Sequence, residues 1–392
     1  MKVLVLNHNQ ENFGTYYRCL FHSRHLARRG HEVLMLCASG STLDPLIRTK
    51  ELEKGLKIMT LPRVKYGQYF SGQMARSLPA LAQVLFGDYE VCHAFTVAQP
   101  QIAYPAWAAR RLRGKRLIVD WDDLWGGGFA EAHAGLISRV LGWHERYFLQ
   151  PAHHITYVSK KIGDEIEKAA ERYPAIARIP KTLIPNGANT EGIRPLDQQA
   201  CRRQLGIDPQ AKILVSMANT YTESLQLMLE AFLLALETEP ELKLYLVGEA
   251  PIPEAYQDLF QKVQHRTVRV GKVPFAQVPF YLGAADALVL PMEDNPIEEA
   301  RFPMRFGDYL ASGRPVVSNA VGEVKRYLNE YEAGLVSPPS DPKGLAENLV
   351  KVVQDPELAR QCGARARALA EGPLNWDQVI DQVERIYRGE KG

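Results

Sequence analysis

Short apolar runs alternate along this chain with longer stretches in which apolar residues recur every three or four positions, the pattern of strands alternating with amphipathic helices. In the first half the runs predict strands at Val3–Leu6, Glu32–Leu36, Leu56–Leu61, Glu90–Ala94, Leu117–Asp120, Ile155–Val158 and Thr182–Ile184. The helical stretches between them include Tyr16–Arg29, stopped by Gly30, and Glu131–Leu149. A turn cluster, Pro185, Asn186 and Gly187, and a polar stretch to Pro195 interrupt the pattern and predict a hinge. A second series follows with strands at Ile213–Met217, Leu242–Val247, Thr267–Val270, Ala285–Leu290, Val316–Ser318 and Gly334–Ser337. Its helices include Thr222–Leu236, Ala276–Leu282, one beginning at Pro303, and Pro342–Asp355. Such alternation predicts an α/β protein of two doubly wound, Rossmann-like domains, residues 1–187 and 196–373, facing across a cleft at the carboxyl ends of their parallel strands. Residues 374–392 form a closing helix and tail. Trp376, Val379, Ile380, Val383, Ile386 and Tyr387 fall at helical spacing there and predict packing back toward the first domain.

Size and composition narrow the class. A chain of 392 residues exceeds what one hydrophobic core supports, and 46% hydrophobic with 23% charged residues is ordinary globular usage. A formal net charge of +2 gives no reason to expect bulk nucleic-acid binding. The local basic run Arg110, Arg111, Arg113, Lys115 and Arg116 fits either a solvated helix end or contact with anionic lipid headgroups. Five scattered cysteines without a CxxC pair predict reduced thiols and no zinc site. The apolar run after Lys2 is too short for a signal-peptide core, and no stretch approaches the ~20 apolar residues of a membrane span. The expected location is cytoplasmic, with peripheral contact at the inner membrane face as the secondary expectation.

The segment Pro303 to Ser318 carries the most chemistry. Phe302, Phe306 and Leu310 form a packing stripe, leaving Arg305 and Asp308 one turn apart on another face, and Gly313 suits a left-handed helix stop. Arg301 and Arg305 stand at or before the first turn, where the helix dipole favours anions. An arriving diphosphate removes that conflict, with Asp308 left to accept hydrogen bonds from a ribose diol. The plain alternative pairs the arginines with Glu298, Glu299 or Asp308. In the first half, Gly14 lets backbone approach a ligand or simply makes a tight turn. Asp120, Asp122 and Asp123 follow a strand at the mouth of its sheet, where Asp122 orients a hydroxyl or sugar, or the run holds a metal, or it is a capped loop. His93, placed near the end of its strand, is either a site residue or a core histidine.

The order of features resembles the GT-B glycosyltransferases, most closely family 4, over nearly the whole chain. The resemblance rests on NHNQENFGTYYRCLFHSRHLARRGHEVLML from Asn7, EVCHAF at Glu90, VDWDDLW at Val119, YVSKKI at Tyr157 and IPNGAN at Ile184. It continues through LYLVGEA at Leu244, VRVGKVP at Val268, YLGAADALVLP at Tyr281 and YLASGRPVVSNAVGE at Tyr309. It implies a retaining enzyme that takes a sugar from a nucleotide diphosphate sugar to a glycan, lipid-linked or small-molecule hydroxyl, without metal, cofactor or nucleic acid. By resemblance the donor meets Gly14, Asn219, Thr220, Gly248, Glu249, Gly271, Val273, Arg305, Asp308, Gly322 and Glu323. The catalytic candidates are Asp122, His93 and either Glu298 or Glu299. The chain departs from the family in two places. Ala300 stands where many members have the first of two glutamates, the second being at Asp308. The stretch SMANTYTESLQLML lacks the usual arginine and lysine, leaving Asn219, Thr220 and Tyr221 as neutral donors. A nucleotide-sugar epimerase and a non-catalytic sugar-nucleotide-binding protein are the alternatives.

Overall fold

The computed structural model describes residues 1–41, 43–63, 70–128, 135–217, 222–249 and 251–390, and only the backbone of 70–75 and 222–223. The chain divides into two compact units, Met1–Asn186 with Trp376–Gly392, and Gly187–Asn375.

The first unit is built on eight strands: β1 (Lys2–Gln10), β2 (Glu32–Ala38), β3 (Arg48–Glu53), β4 (Leu56–Leu61), β5 (Val91–Phe95), β6 (Arg116–Trp121), β7 (His154–Tyr157) and β8 (Lys181–Leu183). Their order is β3-β4-β2-β1-β5-β6-β7-β8, parallel throughout except for the β3–β4 hairpin. The parallel strands match the apolar runs because both of their faces are covered. The sequence pattern gave no sign of β3: its residues RTKELE lie on the edge with almost every side chain exposed, so no hydrophobic periodicity marks it.

A buried ion pair ties this unit together. Arg18, on the helix Tyr16–Arg28, places Nε and Nη2 on the two carboxylate oxygens of Asp120 at 2.9 and 2.8 Å. Its remaining donors reach Ile184 O, Pro185 O and Asn186 Oδ1 at 2.9, 3.2 and 2.9 Å. All five guanidinium protons are thereby used, and Thr156 Oγ1 donates to the same carboxylate at 2.6 Å. The pair thus links the first helix, the end of β6, β7 and the segment after β8.

The last helix, Trp376–Arg388, belongs to this unit and buries the six apolar residues expected of it. Trp376 stacks on Phe21 at 5.3 Å. His25 meets Asp377 at 3.0 Å, His31 meets Glu384 at 2.6 Å, and Arg29 bridges Asp381 and Glu384 at 2.5 and 2.9 Å. The basic run is largely held by protein: Arg113 donates to carbonyls at the end of the helix Phe70–Phe86, Arg116 to Ile386 O, and Lys115 lies over the Tyr89 ring.

The second unit has six strands: β9 (Ile213–Met217), β10 (Lys243–Val247), β11 (Thr267–Gly271), β12 (Ala287–Leu290), β13 (Val316–Asn319) and β14 (Gly334–Ser337). All are parallel, in the order β11-β10-β9-β12-β13-β14. Leu229, Phe232, Leu244, Leu246, Val289 and Leu349 are among the residues of its main core. The segment after Asn186 joins this unit: Ala188 N donates to Leu374 O at 2.6 Å, and Arg367 Nη1 donates to Ile193 O at 3.0 Å. Gly307 allows this contact, because a Cβ there would lie 2.9 Å from Gly187 O.

Removing one partner of a fully buried ion pair leaves the other charge uncompensated. Asp120→Ala is therefore expected to destabilise the first unit by about 3–5 kcal/mol in urea denaturation. A loss below about 1 kcal/mol would contradict the structural role assigned to the pair.

Candidate functional site

In the second unit the strand order reverses between β9 and β12, the place where open parallel sheets offer a crevice beyond their carboxyl ends. Those two strands pair only at Leu214↔Ala287 and Val215↔Leu288, then diverge. The backbone groups exposed by the divergence are satisfied from the helix Met304–Ala311 and from Ser216 Oγ, which donates to Val289 O at 3.1 Å. Met217 N donates to Tyr309 Oη at 2.6 Å, and that hydroxyl donates on to Val289 O at 3.4 Å. Arg305 Nη1 donates to Met217 O at 2.8 Å. Phe302, Phe306 and Leu310 are buried as the packing stripe requires, and Gly313 has φ +68°.

Arg305 and Asp308 thus stand beside the crevice. Asp308 is half-buried, has no hydrogen-bond or ion-pair partner among the described residues, and desolvation pushes its carboxyl up to about 7. The sequence left open which carboxylate accompanies them. Glu298 is buried, with Arg301 Nε on Oε2 at 2.9 Å and Nη2 2.6 Å from Oε1, while Glu299 is exposed. Burial pushes the Glu298 carboxyl up, against the pull of Arg301 and then of Arg305, which places Arg305 within its field. Arg301 is therefore a partner of Glu298.

Two helices begin at this mouth without a side-chain cap, Met304–Ala311 after Pro303 and Gly322–Glu330 after Val321. Asp197, Asn295, Asp341 and Asp355 each cap a helix of the same unit, while Gln257–Val263 and Val278–Ala284 also begin without a side-chain cap. Gly322 has φ +51°, and a Cβ there would lie 2.8 Å from Glu299 O, so the loop after β13 closes onto the helix Pro296–Ala300 only with glycine. Glu323 is buried and paired with Arg326 at 2.6 Å. Gly248, after β10, donates its N–H to Gly271 O at 2.8 Å, and both glycines have positive φ. Glu249 is exposed and Val273 half-buried beside them. Asn219, Thr220 and Tyr221 lie outside the described residues.

The carboxyl mouth of the first sheet holds Asp122. It is buried, accepts a hydrogen bond from Thr96 Oγ1, and is pushed up to about 7 by burial first and then by Asp123 and Asp120. Thr96 itself has φ +59°, a left-handed conformation that strains a β-branched residue. Asp120 is held by Arg18. Beyond Asp122 the loop is fixed by Glu145, whose carboxylate accepts from Trp125 N and Gly126 N at 2.8 and 2.7 Å. Gly14, with φ +56°, lies in the exposed turn between β1 and the first helix.

His93 is a correction. β5 runs to Phe95, so His93 sits within the strand and not at its carboxyl end, fully buried against Phe95 and His22. Its Nδ1 meets Tyr387 Oη of the closing helix at 2.8 Å, and burial pushes the imidazole down to about 4. It is a core histidine. Sequence reasoning missed three positioning residues. Tyr309 is hidden in the apolar face of its helix, Thr96 shows no unusual residue type, and Glu145 lies far along the chain from the loop it holds.

Two family models match the chain: a glycosyl transferase 4-like domain over residues 22–187 and glycosyl transferases group 1 over residues 211–355. The N-acetyl-alpha-D-glucosaminyl L-malate synthase of Bacillus anthracis is 26% identical over 196 residues, so the chain spans about half that relative's length (49% of each). Among solved structures, the sucrose-phosphate synthase of Thermosynechococcus elongatus aligns with a TM-score of 0.76 at 20% identity, covering 99% of this chain and 98% of the other. Anabaena HepE in complex with UDP-glucose aligns at 0.73 and 16% identity, covering 99% and 100%. These structural likenesses concern the fold.

The raised Asp308 carboxyl has a consequence for stability. A group whose folded pKa lies above its unfolded value contributes stability that is complete below about pH 4 and lost as pH rises through about 7. Asp308→Asn removes this dependence, so its melting temperature relative to wild type is expected to rise from about pH 4 to about pH 7 and then level off. A difference that stays flat or falls over that range contradicts the burial of this carboxyl.

Proposed function

We propose that this chain, whose residues 22–187 match a glycosyl transferase 4-like domain and residues 211–355 the glycosyl transferases group 1, transfers a sugar from a nucleotide diphosphate sugar to a hydroxyl acceptor with retention of configuration. The observation that carries this reading is the set of groups at the divergence of β9 and β12: Arg305 on Met217 O, Asp308 without a partner among the described residues, and two helix starts without side-chain caps. Helix N-termini and a guanidinium favour a diphosphate, and a carboxylate at this distance along the helix favours the ribose diol. The solved neighbour carrying UDP-glucose makes a uridine nucleotide the first donor to try.

In this mechanism the acceptor oxygen attacks the anomeric carbon on the face from which the nucleotide leaves. The bond from that carbon to the phosphate oxygen breaks, and the acceptor proton passes to the departing phosphate. No enzyme nucleophile is required. The second unit stabilises the charge developing on the leaving diphosphate through Arg305 and the helix dipoles, which act without a cation. The first unit orients the acceptor through Asp122, itself oriented by Thr96. Glu298 holds Arg301 and adds to the field around Arg305.

Arg305→Ala is expected to lower transfer about 100-fold or more. The fold is expected to be retained, since losing a hydrogen bond such as that to Met217 O costs about 1–3 kcal/mol. Near-normal turnover from a UDP-sugar or other nucleotide-sugar donor would remove the assignment. Asp308→Asn is expected to weaken nucleotide binding in calorimetry about tenfold, the value of one charge-assisted hydrogen bond. Unchanged affinity removes its ribose role.

A further inference from the structure

Three helices of the first unit share one side of its sheet. Phe70–Phe86 leads from β4 to β5, Pro100–Arg111 from β5 to β6 and Leu136–Tyr147 from β6 to β7. All three crossings run the same way across the strand order, so right-handed connections put these helices on one face, opposite the helix Tyr16–Arg28, which crosses the other way from β1 to β2. Their mutual contacts agree. Phe70–Phe86 packs along Pro100–Arg111, and Tyr104 reaches the third helix, with Oη 3.2 Å from His144 Nε2 and its ring centre 5.3 Å from that of Phe148.

Each of the three turns apolar side chains to solvent. Leu78, Ala82 and Phe86 follow at four-residue spacing, and Leu78 and Phe86 are 70% and 86% exposed. Tyr104 and Trp107 are exposed on the second helix. On the third, Leu136, Trp143 and Tyr147 are exposed, and the rings of Trp143 and Tyr147 stack at 4.9 Å. Among the large apolar side chains exposed in the described residues, only Val268 and Phe275 belong to the second unit. A surface helix ordinarily carries polar and charged residues on its outer side, as the next helix, Lys160–Arg172, does with Asp164, Glu167 and Glu171.

The charge on this face has one sign. The three helices contain a single carboxylate, Glu145, which is buried and holds two loop amides. Asp88, just beyond the first of them, is paired with Lys2 at 2.5 Å. Arg111 and Arg139 are exposed, and neither side chain has a hydrogen-bond or ion-pair partner among the described residues. Arg139 also lines, with Arg172 and Trp143, an open pocket of about 540 Å³. A second copy of the chain does not suit such a face, because twofold pairing brings two basic surfaces together. A bilayer suits each part of it: the acyl boundary takes Leu78, Phe86 and Leu136, the headgroup level takes the amphipathic rings of Trp107 and Trp143, and anionic headgroups take the guanidiniums.

We propose that the first unit docks on an anionic membrane surface through these three helices, with the aromatic rings at the level of the headgroups. Of the basic run 110–116, Arg113, Lys115 and Arg116 are engaged within the protein, so the apolar stripes rather than that run define the contact. The docking does not depend on the transfer reading.

The test floats the full chain with vesicles of phosphatidylcholine alone and of phosphatidylcholine with phosphatidylglycerol. Wild type is compared with Leu78→Ser/Phe86→Ser and with Arg111→Glu/Arg139→Glu, both confined to exposed side chains, and melting temperatures verify that each is folded. Wild type is expected to bind the anionic vesicles about tenfold or more tightly than the neutral ones, and each variant to lose about tenfold or more of that affinity. Bromine-labelled lipid chains are expected to quench the tryptophan fluorescence of wild type, and that of Trp107→Phe/Trp143→Phe much less, since Trp121 and Trp376 are buried. No binding to the anionic vesicles, equal binding by both variants, or binding without quenching overturns the proposal. Self-association of wild type that Leu78→Ser/Phe86→Ser abolishes, read by sedimentation without vesicle binding, assigns the face to a second copy and also overturns it.

Discussion

The divergence of β9 from β12 is the constraint around which the second unit is organised. Parallel strands that separate after two paired positions leave an amide and carbonyls in need of partners inside the protein. The helix Met304–Ala311 supplies them, Tyr309 between Met217 N and Val289 O, and Arg305 on Met217 O. The contacts that close the sheet also set the position of a guanidinium and, one turn on, a carboxylate beside the crevice. Structure and candidate chemistry therefore share one helix, which explains why a phenol rather than an apolar residue occupies its buried face.

The first unit separates these duties more cleanly. Arg18 and Asp120 form its structural centre, using all five guanidinium protons and binding four segments of chain. Two residues on, Asp122 is buried without such a partner and is held by the hydroxyl of a strained threonine. Two acids of one run thus acquire different states from their neighbours: the carboxylate paired with Arg18 consolidates the fold, and that of Asp122 is pushed up by burial. The loop beyond it is pressed against Gly142 and held by Glu145.

Much of the fold was legible because parallel sheets covered on both faces leave apolar runs and the closing helix leaves six apolar residues in step. The Pro303 helix was legible for the same reason, down to its stripe and its left-handed stop at Gly313. β3 was not, since an exposed edge strand of charged residues has no apolar period to read. Among the site residues, the neighbourhood of Arg305 and Asp308 followed from helical spacing alone. The choice between Glu298 and Glu299 did not, because both lie on one short helix and only packing shows which faces inward.

The sequence by itself determined the two series of strands and helices, the family resemblance and the helix that bears Arg305 and Asp308, all of which depend on local periodicity and order along the chain. Tertiary structure alone decided that His93 is a core residue beneath Tyr387, that Asp120 belongs to Arg18, and that Arg301 belongs to Glu298. It also decided that Arg139 and Arg172 share a pocket. Whether a charge is paired, buried or left facing a cavity depends on residues brought close by the fold from as far as 355 positions away, and no local pattern records that.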